Sequence, residues 1–145
     1  MSAAGSRRGR PVRTFAPVRW SAGERELAAA QGALYVATGV WPLLHMSSFE
    51  AVTGPKLERW LVRTVGVLVA TIGATLALAA RRGAVAPELR LLAGGSAAGL
   101  AAIELWYGGR RRISPVYLAD AALELALAAG WLVFARRPAR RGGER

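Results

Sequence analysis

Apolar residues run through this chain in four long stretches, separated by short links rich in arginine, glycine and proline. The stretches cover about residues 27–46, 61–80, 89–107 and 116–135. Each is long enough, at ~1.5 Å per helical residue, to cross a hydrocarbon core of ~30 Å. Neither strand-like alternation nor a polar face of the kind a water-soluble helix carries breaks the pattern. The links of about 14, 8 and 8 residues favour antiparallel neighbours. The expected fold is therefore all-α: a four-transmembrane-helix bundle, up-down-up-down, with basic disordered termini. The division read from the sequence is a basic N-terminal arm (1–26), a four-helix transmembrane domain (27–135) and a basic C-terminal tail (136–145).

Local signals refine the ends of these helices. Ser21 can cap the first, with Glu24 at the capping-box position, and Pro42 should kink or end it. The following loop, SSFEAVTGPKLERW, reads as irregular, with a turn at Gly54-Pro55. Thr64, Thr71 and Thr75 share a face of the second helix, where their hydroxyls can bond back to the backbone or across to a neighbour. In the third, Gly95-xxx-Gly99, extended by Ala102, forms a small-residue ridge suited to close helix packing, which also leaves a homodimer open. Ser114-Pro115 suits a helix start.

Polar residues inside the apolar stretches change the picture most, because an ionisable group in a membrane helix is costly and should face protein, water or ligand. On the first helix Gln31, Tyr35, Thr38, Pro42 and His45 form one stripe. On the fourth, Tyr117, Asp120, Glu124 and Trp131 share a narrow face, with Ala119, Ala122 and Ala126 opposite. In an even bundle His45, Glu50, Arg63, Glu104, Tyr117, Asp120 and Glu124 all fall in the same half of the membrane. These seven are the expected lining of a polar pocket; Glu104 pairing with Arg63 or His45, and Asp120 with the Arg110–Arg112 cluster, is the plainer alternative.

Charge then orients the chain. Of 145 residues 20 are basic and 9 acidic, a formal net charge of +11. Basic flanks beside apolar spans read as topology signals and contacts to anionic lipid rather than as a nucleic-acid surface. The side holding the N-terminal arm, Arg81, Arg82, Arg90 and the tail carries 14 of the basic residues; the side holding Lys56, Arg59, Arg63 and Arg110–Arg112 carries 6. The expectation is a multi-pass protein of the cell inner (plasma) membrane with both termini cytoplasmic, so that the acidic pocket lies in the non-cytoplasmic half. The tryptophans read as interfacial anchors.

The chain has no cysteine and one histidine, His45. That excludes disulfides, thiol nucleophiles, cysteine-held zinc and a multi-histidine metal site within one subunit. No metal or other cofactor is called for, no nucleic-acid partner is expected, and no catalytic constellation is recognisable. What remains is a lipid-embedded protein whose pocket takes a lipid or small hydrophobic ligand; the alternative is a membrane enzyme with isomerase-like acid/base chemistry, or a proton-coupled carrier, using the intramembrane carboxylates. The stretches GVWPLLHMSSFEAVTGPKLERWLVRTVG and RISPVYLADAALELAL resemble those of small four-helix bacterial membrane proteins to which no activity is attached. In architecture alone, four short spans with acids near one end also resemble DoxX-like and sterol-isomerase-related bundles.

Overall fold

The computed structural model describes residues 18–85 and 87–136. Five helices follow one another: α1 (Ala22–Leu44), α2 (Met46–Thr53), α3 (Arg59–Arg82), α4 (Glu88–Gly109) and α5 (Val116–Arg136). Four of them, α1, α3, α4 and α5, are long and apolar enough to cross a membrane. They run alternately up and down. The start of α1 and the end of α5 meet at one end of the bundle, where Leu27 packs over Gly130 and Phe134 over Gly23. We call this the near end; α2 and the 110–115 turn lie at the far end. Large apolar side chains such as Val67, Leu68, Leu91, Ile103 and Leu132 face outward, which suits a surface solvated by lipid.

Local chemistry explains where the helices begin and stop. Ser21 and Glu24 form the reciprocal capping box, Glu24 N donating to Ser21 Oγ at 3.3 Å and Ser21 N to Glu24 Oε2 at 2.8 Å. α1 therefore starts at Ala22, inside the stretch read as arm, and ends at Leu44, two residues after Pro42. Half of the following link is not irregular but helical: the His45 imidazole caps α2, accepting from Ser48 N at 3.2 Å. Gly54, at φ 87°, and Gly83, at φ 68°, end α2 and α3 in conformations that a side chain would strain. Thr64, Thr71 and Thr75 bond back to the carbonyls of Trp60, Val67 and Thr71. A two-residue antiparallel pair, Val18–Arg19 with Ala84–Val85, ties the entry of α1 to the turn after α3. Residues 1–17 and 137–145, most of the two expected basic ends, lie outside the described residues.

The bundle consists of two close pairs, α1 with α3 and α4 with α5. In the first pair the backbones touch. A Cβ added at Gly32 would lie 2.8 Å from Gly73 O and Ala77 N, and one at Gly39 2.6 Å from Gly66 O and Ala70 N. Gly32/Gly39 and Gly66/Gly73 are each seven residues apart, two turns along one face, so both contacts form together. The Gly95–Gly99 ridge does not make the close contact expected of it: nothing among the described residues lies within 4 Å of a Cβ built at either glycine. The reason is rotational. The inward stripe of α4 is Ala93, Ala97, Ala101, Glu104 and Gly108, and a glycine two positions from Ala93 or Ala97 points the other way.

Replacing Gly39 by Ala should accordingly lower stability by about 1–3 kcal/mol, since backbone cannot move aside as a flexible side chain can. Gly99→Ala should be neutral. Unfolding of the two variants in mixed micelles checks this, and equal midpoints would contradict the assigned contact.

Candidate functional site

α1 turns its glycines to α3 and its polar stripe to the other pair. Gln31, fully buried, donates from Nε2 to Ala93 O of α4 at 2.9 Å and accepts from Trp131 Nε1 of α5 at 2.6 Å. One side chain thus joins three helices. One turn on, the Tyr35 hydroxyl donates to Glu124 Oε2 at 2.8 Å. At the near end the Arg90 guanidinium of α4 pairs with Glu24 of α1 at 2.6 Å, and Trp20 packs edge-on against Trp131 at 5.5 Å between centroids. This near-end cluster was not foreseen. Trp20 fell in the expected arm, Arg90 was counted only as a topology charge at the start of the third span, and both Trp20 and Trp131 are buried in the protein. The capping box was the one signal that could have moved the helix start, and with it Trp20, into the fold.

Toward the far end a cavity of about 300 Å³ lies between the two pairs. Its walls are Tyr35, Thr38, Gly39 and Pro42 of α1, Phe49 of α2, Leu61, Val62, Val65, Gly66 and Val69 of α3, Leu100 and Glu104 of α4, and Tyr117, Asp120 and Glu124 of α5. Glu124 is 2% exposed and Glu104 7%, while Asp120 is half-buried. The carboxyls of Glu104 and Asp120 interact directly, and Glu124 is within electrostatic reach of both. Glu104 Oε2 is buried without a hydrogen-bond partner.

Of the seven expected lining residues, four border this cavity: Glu104, Tyr117, Asp120 and Glu124. The other three stand apart from it, each for a local reason. His45 is exposed and occupied in capping α2. Glu50 accepts from Arg59 Nη2 at 2.7 Å and from Lys56 N at 3.2 Å, closing the 54–58 turn; the Arg59 guanidinium holds its carboxyl below the usual carboxylate range. Arg63 faces outward on α3. Neither Arg63 nor His45 is paired with Glu104, and Asp120 has no ion pair with Arg110–Arg112; Arg110 lies instead over the Trp106 ring at 3.6 Å. The described residues hold no cluster of His, Cys, Asp and Glu able to bind a metal.

No family model, no curated protein and no solved structure matches the chain, so the architectural likeness to DoxX-like and sterol-isomerase-related bundles gains no relative in support.

Gln31→Leu should cost roughly 1–3 kcal/mol, because it strips a buried indole N–H and a carbonyl of their partner at once. Thr71→Val, which loses only a bond back to its own helix, should change little. Unfolding midpoints of both variants in detergent measure the difference.

Proposed function

We propose that the chain is an integral membrane protein whose far-end cavity holds a lipid or a small hydrophobic ligand. The observation that carries this reading is the composition of one wall against the others. Aliphatic and aromatic side chains from α1, α2 and α3 face a short polar arc made by Tyr35, Glu104, Asp120 and Glu124. Ligand sites commonly combine an apolar body with a few convergent polar groups, and ~300 Å³ is the lower end of their usual size. Glu124 lies about 12 Å from the start of α5 at ~1.5 Å per residue, deep enough that an ionisable group has no access to headgroups.

In this reading the protein lies in the plasma membrane with both ends on the cytoplasmic side, as the excess of arginine at the near end favours. The cavity then belongs to the outer half of the bilayer. The absence of cysteine from the chain makes the orientation simple to test. A single cysteine placed at Arg111 should react with a membrane-impermeant maleimide added to intact cells, while one placed at Arg82 should not. The reverse labelling would invert the protein.

Ligand content is the direct test. Protein purified in mild detergent and extracted for mass spectrometry should release a bound apolar molecule or a selectively enriched lipid. Val62→Phe fills the cavity wall, and Glu124→Gln removes the charge at constant size. Both should insert normally and release clearly less. Equal content in wild type and both variants would sink the reading.

A further inference from the structure

The acids of the cavity differ from the other buried acid of this chain in what surrounds them. Glu24, at the near end, is met by the Arg90 guanidinium. Glu104 and Glu124 are as deeply buried, and no described lysine, arginine or histidine lines the space they share with Asp120. A described cation at its rim is Lys56, whose ammonium donates to Thr53 O and lies 5.0 Å from the ring centroid of the cavity-lining Tyr117, with no ion pair to any of the three acids.

Within the arc the three acids are not equivalent. One oxygen of Glu124 is occupied by the Tyr35 hydroxyl. Glu104 presents a buried Oε2 with no partner, and its neighbour is the carboxyl of Asp120. Two ionised carboxylates side by side offer only acceptors, so the pair is completed either by a proton held between them or by a donor from outside. A donor with positive charge would complete the arrangement, and the aliphatic walls from α3 would take the remainder of the molecule.

Building on the ligand reading above, we propose that the cavity is selective for an apolar molecule carrying a protonated amine, with the ammonium seated between Glu104 and Asp120. An anionic amphiphile is disfavoured by the same arc. An alcohol of equal length meets the acceptors with a neutral donor only. A charge-assisted bond exceeds a neutral one by enough to make the amine about tenfold tighter.

The experiment compares n-octylamine, 1-octanol and octanoate by equilibrium dialysis against the full chain in a neutral maltoside detergent at pH 7, with protein-free micelles subtracted. The amine carries its proton there, as a lysine amine with pKa ~10.4 does. The expected order is amine, alcohol, octanoate. Glu104→Gln should bring amine and alcohol to similar affinity while leaving alcohol binding in place. Glu26→Gln, an exposed acid on α1, should leave the preference intact and so control for general attraction to negative charge. Alcohol binding as tight as amine in the wild type, or an amine preference that survives Glu104→Gln, would overturn the proposal while leaving a hydrophobic cavity standing. Saturable binding by none of the three probes would overturn the ligand reading itself, and this proposal with it. The wild-type series needs no variant, so a Glu104→Gln protein that failed to fold would still leave the amine-to-alcohol ratio to decide.

Discussion

Two helix backbones come into contact only where neither presents a Cβ, and this chain meets that condition twice on one face of each helix. Gly32 lies over Gly73, and Gly39 over Gly66, so α1 and α3 lock in a single register. In lipid there is no hydrophobic gain from burying one apolar helix against another, so close packing and interhelical hydrogen bonds must hold the bundle. The glycine contact supplies the first. It also fixes the rotation of α1, and everything on the remaining faces of that helix follows from it.

With its glycine face committed to α3, α1 turns Gln31 and Tyr35 toward α4 and α5. Gln31 is then placed between Ala93 and Trp131, and Tyr35 against Glu124. The near end gains a further tie from Glu24 and Arg90, and a covering of aromatic rings from Trp20 and Trp131. These links tie the two helix pairs together. At the far end α2 caps the bundle through Met46, Phe49 and Thr53 instead of continuing α1. The wedge left between the pairs is the cavity.

The same division accounts for the electrostatics. At the near end and in the far turn the acids Glu24 and Glu50 are neutralised by arginines from another segment. In the wedge the arginines of the far end are held elsewhere, Arg59 by Glu50 and Arg110 by the Trp106 ring, and Arg63 faces outward. Three carboxyls therefore share a space in which none of them is ion-paired to a described residue, an arrangement that disfavours ionising all three at once.

Hydrophobic length and spacing were enough to define four membrane-length helices, their antiparallel order and the inward face of α5, because each depends only on residues close in sequence. Tyr117, Asp120 and Glu124 could be grouped on one face by helical pitch alone, and Ser21 with Glu24 by the capping box. What lay beyond the sequence was which helix face meets which. Glycines at a spacing of four drew attention to Gly95 and Gly99, yet the contact belongs to glycines seven apart on two other helices. The sequence of one helix does not reveal the rotation its partners impose. Likewise His45, Glu50 and Arg63 lie at the right depth for the cavity, but local bonds and rotation about the helix axis take them out of it. Depth is a property of position along the chain; direction around the axis was decided by the backbone contact of α1 with α3, and only the folded bundle contains it.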